Sequence, residues 1–168
     1  KLRLKTDIIS SSDQSKKLKV KHIVFDKTDK MFINYIKNNF NINNILFISL
    51  GSRIIFNKQI IKLLNNNLIN FHGTRLPYDS GGGGFSWAIL REDRLDNQLV
   101  HLVDDGIDTG PVIDNKLSIF PSYCKIPMDF ENYHLERFID FYKNFIRSII
   151  SGEVFELKPQ PKYIGRDK

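Results

Sequence analysis

The sequence predicts an α/β fold with a mostly parallel central sheet flanked by helices, on three observations. Short apolar runs of strand length recur at 22–25, 45–50 and 68–72. Stretches of helical periodicity lie between them, and turn-forming residues such as Gly51 and the glycines 81–84 close the segments. Strands alternating with helices imply βαβ units, hence parallel pairing.

The strand at 22–25 is followed by capping candidates at 26–29, then by Met31, Phe32, Ile33, Tyr35, Ile36 and Phe40 at helical spacing. The run 45–50 is continuously apolar and reads as a strand buried on both faces. A helix over 57–66 would bury Ile60, Ile61, Leu63 and Leu64. It leads into the strand 68–72, whose alternation puts Asn70 and His72 on one face. Leu76 and Pro77 read as extended then turned, 85–90 as a short helix, and 98–103 as an alternating strand with His101 between Leu99 and Val103. A final helix over 133–150, with a core stripe of Leu135, Phe138, Ile139, Tyr142, Phe145, Ile146 and Ile149, stops at Gly152.

The 168 residues suffice for one domain, expected over 1–168, with 1–21 a basic and partly irregular segment. The net charge of +6 draws much of its excess from Lys1, Arg3, Lys5, Lys16, Lys17, Lys19 and Lys21. Such a field favours anionic partners and would attract a phosphate-bearing small molecule. The basic segment lacks aromatics for stacking and any nucleic-acid motif, so no nucleic acid is expected. No apolar run reaches the roughly 18 residues of a membrane span and no leader pattern opens the chain, which leads to the expectation of a cytoplasmic protein without membrane contact. Cys124 is the single cysteine, expected as a half-buried thiol without chemical role.

Asn70, His72 and Asp108 form the candidate catalytic group. An amide can donate to an oxyanion, an imidazole can move a proton, and a carboxylate can orient either. Competing motifs fail on spacing. The glycines 81–84 precede no Lys-Ser/Thr and lack the third glycine of a dinucleotide fingerprint. The loop 104–110 lacks the ligand positions of an EF-hand, no H-E-x-x-H supports zinc at His72, His101 and Asp108, and no metal is expected. No G-x-S-x-G elbow is present. What remains is an amide, an imidazole and a carboxylate without a nucleophile of their own.

The segments RII at 53–55, NFHGTRLP at 70–77 with Gly81, and HLVDDGIDTGP at 101–111 resemble the 10-formyltetrahydrofolate-dependent formyltransferase family. Its pattern is N-x-H-P-S-x-L-P, three residues, then G, with a later H-x-V-x-x-x-x-D-x-G-P; order and spacing are kept over about 45–115. The resemblance implies that family's Rossmann-like fold, with Asn70, His72 and Asp108 at the catalytic positions. It implies a pterin pocket formed by Arg53, Ile54 and Ile55 with Val103, Asp104, Asp105 and Gly106, largely through backbone groups. Thr74, Arg75, Gly81 and His101 would contact substrate or stand behind the catalytic groups; Arg75 could instead pair with an acid. Gly73 replaces the family's Pro, Thr74 its Ser, Arg75 an apolar residue, and Asn97 and Gln98 a common Gly-Thr. About one strand and one helix precede residue 45, where family members carry a full βαβ unit, so the amino-terminal unit is expected to be shortened.

The stretch 81–87 resembles that of formyltransferases acting on nucleotide-linked amino sugars of surface polysaccharides. The expected activity is therefore transfer of formyl from 10-formyltetrahydrofolate to a primary amine of such a sugar. The tRNA-directed members' carboxy-terminal barrel is not matched, which argues against initiator tRNA as acceptor. A formyltetrahydrofolate hydrolase and an inactive folate- or nucleotide-binding module are the alternatives. The apolar strand from Val112 to Phe120 could pair with a second copy as a homodimer.

Overall fold

The computed structural model describes residues 8–10, 22–25, 28–51, 54–78 and 84–160; Arg53, Gly81 and most of the basic segment lie outside the described residues. Strands β1 (Ile8–Ser10) and β2 (His22–Val24) pair in parallel. The first was not expected, being three residues inside a charged stretch. Helix α1 (Lys30–Asn39) starts at Asp29, whose Oδ1 accepts from the Met31 and Phe32 amides at 2.9 and 3.2 Å. A 3₁₀ turn (Ile42–Asn44) leads to β3 (Phe47–Leu50). Helix α2 (Lys58–Leu64) is capped by Asn57, which accepts from Ile60 N at 3.0 Å and donates to the Thr28 carbonyl, tying the two helix starts together.

Strand β4 (Leu68–His72) keeps its expected bounds, α3 covers Gly84–Leu90, β5 Leu95–Leu102 and β6 Val112–Ile119. The sheet order is β3-β4-β5-β6. Pairing is parallel between β3 and β4 and antiparallel from β4 onward, so this sheet is mixed. Three expectations change with it. Strand β3 lies at the edge of the four strands and is not buried on both faces: Leu50 is 49% exposed. Strand β5 lies between two neighbours and is buried from Asp96 to His101, where simple alternation would leave one side wet. Beyond β6, Arg94 donates to the carbonyls of Phe120, Pro121 and Cys124, and this turn buries Cys124 completely, deeper than its sequence context suggested.

Helix α4 spans Pro127–Ser151, starting six residues before the expected boundary. Pro127 occupies its first turn, and Asp129 Oδ2 accepts from the Lys125 and Ile126 amides, satisfying donors that a helix start leaves open. Gly152, at φ 82°, ends it. The inward residues are Phe130, Tyr133, His134, Phe141 and Phe145, whereas Leu135 and Ile139 are 52% and 43% exposed. The stripe is rotated because Tyr133 and His134, polar enough to be passed over, face inward.

Strand β4 divides the core. Leu68 joins Phe32, Ile36, Ile60 and Leu64 under α1 and α2. Ile69 and Phe71, one residue out of phase, join Val100, Phe141 and Phe145 under α4. Phe71 meets Phe138, Phe141, Tyr142 and Phe145 with ring centroids 5.1–6.0 Å apart. Phe71→Ala is expected to cost about 3–5 kcal/mol in chemical denaturation, the range for deleting a buried aromatic ring.

Candidate functional site

The carboxyl end of β4 opens into a cavity of about 440 Å³, in the range of small-molecule sites. Asn70 and His72 project into it from one face, as period two requires. Asp108 reaches it from the loop after β5. The three expected residues therefore converge on one cavity.

Antiparallel register places His101 directly opposite Asn70. The pairing of β5 with β6 shifts at this point, Val100 facing Asp114 and His101 facing Val112, so Ile113 is an extra residue, packed into the cluster under α4. His101 Nδ1 lies 2.7 Å from the Leu102 carbonyl oxygen, and its Nε2 lies 3.2 Å from Asn70 Nδ2. A carbonyl only accepts, so Nδ1 carries the hydrogen; Nε2 is then the acceptor for the Asn70 amide. Burial pushes the His101 pKa below its ordinary value and so favours this neutral tautomer, outweighing the opposing backbone hydrogen bond and Asp108 charge. The reverse amide orientation would require a buried imidazolium. One Asn70 hydrogen is thus committed to His101, and the other is left for the cavity.

His72 Nε2 lies 2.6 Å from Thr74 Oγ1. Asp108 Oδ1 stands 3.9 Å from His72 Nδ1 and 3.7 Å from His101 Nε2, beyond direct hydrogen bonding to either. Asp108 adopts φ 54°, a left-handed conformation that Asp tolerates better than most residues. Two positions after it, a Cβ on Gly110 would fall 1.8 Å from the Leu102 carbonyl oxygen, so only glycine lets the loop pass β5 this closely.

Of the expected pocket residues, Ile54, Ile55, Val103, Asp104 and Gly106 line the cavity. Asp105 does not: it is exposed and paired with Lys58 at 3.0 Å, which holds its carboxyl below the usual range. Ser49, Gly51, Phe56 and Ile107 also line the cavity, and Phe56 and Val103 pack against the core under α1 and α2. Ser49 sits opposite Asn70 in the parallel register, a nonlocal pairing that no local pattern marks. Ile55 and Ile107 leave 74% and 61% of their surface exposed at the site. Thr74 and Arg75 are not among the lining residues; Arg75 is ion-paired with Asp93, the acid-pairing alternative of the two readings. Among the described residues no group of three or more His, Cys, Asp and Glu is placed to hold a metal ion.

Behind His72, the place that the family pattern gives to Pro is taken by Gly73 and filled from α4. A Cβ on Gly73 would lie 2.7 Å from His134 Nε2. That imidazole is fixed: its Nδ1 is 2.7 Å from Asp96 Oδ1, and Phe85 and Phe138 flank the ring at 5.5 and 5.9 Å. Fully buried Asp96 also accepts from Gln98 and Ser118.

Two measurements follow from this geometry. Gly73→Ala should cost about 1–3 kcal/mol by overpacking, with most of that added cost removed in a His134→Ala background, read by urea denaturation as a double-mutant cycle. For His101, the folded pKa lies below the free value of 6.5, so as pH falls below it the unfolded chain takes up a proton first. Its stabilising effect is present above 6.5 and lost through the window below. The urea midpoint should therefore drop between pH 7.5 and 5.5, and drop less in His101→Gln.

No protein-family profile matches the chain. A methionyl-tRNA formyltransferase of Myxococcus xanthus is 29% identical over 109 residues, 64% of this chain and 33% of that protein. The chain thus spans about a third of that relative's length. The structure superposes on a formyltransferase from Anoxybacillus kamchatkensis, solved with UDP-4,6-dideoxy-4-formamido-L-AltNAc and tetrahydrofolate, at TM-score 0.70 and 22% identity, covering 93% of this chain and 81% of the other. It superposes on glycinamide ribonucleotide transformylase 1 from Symbiobacterium toebii at TM-score 0.74 and 17% identity, covering 92% and 80%. The chain thus has the formyltransferase fold along most of its length, and it is similar in sequence to a methionyl-tRNA formyltransferase over 64% of it.

Proposed function

We propose that the protein transfers a formyl group from 10-formyltetrahydrofolate to a primary amine, with Asn70, His72 and Asp108 as the catalytic residues. The observation that carries this reading is the convergence of an oriented amide, an imidazole and a carboxylate at the mouth of one apolar-walled cavity. The residues present suit the donor. Ile54, Ile55 and Phe56 offer apolar surface to a flat ring, and the loop from Val103 to Gly106 offers backbone groups to its polar edge. The donor supplies an electrophilic formyl carbon.

The chain supplies polarisation and proton handling. Asn70, its amide turned by His101, donates its remaining hydrogen to the formyl oxygen as negative charge develops there. His72, steadied by Thr74, is placed to move a proton to or from that oxygen or to face it as a cation. Asp108 stands off both imidazoles by a distance that a bridging water or an incoming ammonium group can span, so it can draw the proton from the amine. None of the three is assigned as a covalent nucleophile, which fits direct attack by the acceptor: the amine nitrogen bonds to the formyl carbon, the bond from that carbon to the donor nitrogen breaks, and tetrahydrofolate leaves with the proton given up by the amine.

For the acceptor we infer an amine on a nucleotide-linked sugar. The reading is supported by the basic balance of the chain, by the resemblance of residues 81–87 to sugar-directed members, and by the UDP-linked formamido sugar bound to the Anoxybacillus protein. The kinship to methionyl-tRNA formyltransferases and glycinamide ribonucleotide transformylases speaks for the donor chemistry and is neutral on the sugar.

Incubation with 10-formyltetrahydrofolate and a panel of amino-sugar nucleotides should give a product heavier by one formyl group. Asn70→Ala is expected to lower kcat about 10²–10³-fold and His72→Ala about 10²–10⁴-fold. Full turnover in Asp108→Ala would remove that residue from the mechanism. Formate released without any amine would point to hydrolysis, and no product from any amine would sink the transferase reading.

A further inference from the structure

Past Gly152 the chain turns back along the sheet. Lys158 forms a two-way bridge with Val112, the first residue of β6: Val112 N donates to Lys158 O at 2.9 Å and Lys158 N to Val112 O at 2.8 Å. Two residues on, Gln160 Nε2 donates to the carbonyl oxygens of Asp108 at 3.1 Å and of Gly110 at 2.6 Å. The amide orientation follows from its partners, because the reverse would face an oxygen to two carbonyl oxygens.

The loop held in this way is under demand at both points. Asp108 keeps a left-handed backbone, and Gly110 passes within van der Waals reach of Leu102. At its front, Asp104 Oδ1 accepts from Gly106 N at 3.2 Å and Thr109 Oγ1 at 2.7 Å. At its back, the carbonyls of Asp108 and Gly110 both accept from Gln160 Nε2.

We propose that Gln160 is a positioning residue for Asp108, and that the segment 153–160 is a strap that fixes the Asp108 loop from behind. The inference rests on the proposed catalytic role of Asp108. Gln160 touches no reacting atom; it holds two carbonyls so that the carboxylate stays at one place relative to His72. Displacement by about 1 Å at such a group costs as much as 10²-fold in rate.

The test compares the full chain with Gln160→Met, which keeps length and removes both donors, and with Gln160→Glu, which keeps shape and sets an acceptor against the two carbonyls. Amide hydrogen exchange over 104–110 should quicken by about tenfold or more in each, while exchange in α4 stays as in the parent. In formyl transfer, kcat should fall about 10–100-fold with KM for the folate donor changed less than about threefold. Unchanged exchange over 104–110 in the folded variants overturns the strap. Faster exchange with unchanged kcat overturns the positioning role. If the parent itself formylates no amine, the catalytic reading fails, and the exchange comparison still decides the strap. Should Gln160→Met not fold, Gln160→Glu carries both measurements.

Discussion

Everything at the cavity depends on the two faces of β4. Within five residues, Leu68, Asn70 and His72 look one way and Ile69 and Phe71 the other. The second face is gripped by the rings of α4, so the strand cannot slip by one residue without burying an imidazole and an amide among aromatic rings. That penalty fixes the register with β3 and β5. It therefore also decides that Ser49 and His101 flank Asn70. The catalytic geometry proposed here is, at its root, a consequence of where Phe71 packs.

Electrostatics then refine what packing has placed. His101 is kept neutral by burial and pinned by its neighbour's carbonyl, which leaves it one acceptor to offer Asn70. A charged imidazole there would carry a hydrogen on Nε2 and draw the amide oxygen to itself, undoing the orientation that His101 now imposes on Asn70. On the far side of the sheet, a second histidine is held by the buried Asp96 and fills the space against Gly73. The departure of Gly73 from the family pattern is thus not a loosened turn. Its missing side chain is replaced by an imidazole from a helix more than fifty residues later.

Much of this was legible in the sequence because the signals are local. The bounds of β4, the shared face of Asn70 and His72, the cap at Asp29 and the stop at Gly152 each follow from neighbours a few residues apart. Asp108 was legible through its motif rather than its backbone, whose left-handed turn no composition reveals. The errors share a cause. Whether Leu50 is covered depends on β3 being an edge, and whether Asp96 is buried depends on β5 being central; both are decided by strand order. The rotation of α4 escaped because apolar residues occur on several of its sides, and periodicity cannot choose among them once Tyr133 and His134 also turn inward. Gln160 sits in a proline-flanked stretch without periodicity, and its contacts lie 50 and 52 residues away.

The length of α4 has a further effect. At about 1.5 Å per residue, its 25 residues extend about 37 Å, enough for one rod to serve two separate clusters. Phe130 and Tyr133 close the one beneath α3, while Phe141 and Phe145 close the one beneath Phe71. Neither can dissolve while the other holds the rod in place, so this half of the molecule behaves as one cooperative unit. The cluster under α1 and α2 contains no residue of that helix. Phe56 and Val103 belong to both this cluster and the cavity wall, so any loosening of α1 and α2 would reach the cavity. Leu68 ties the same cluster to the strand that α4 holds, and the cavity thus sits where the two packing systems meet.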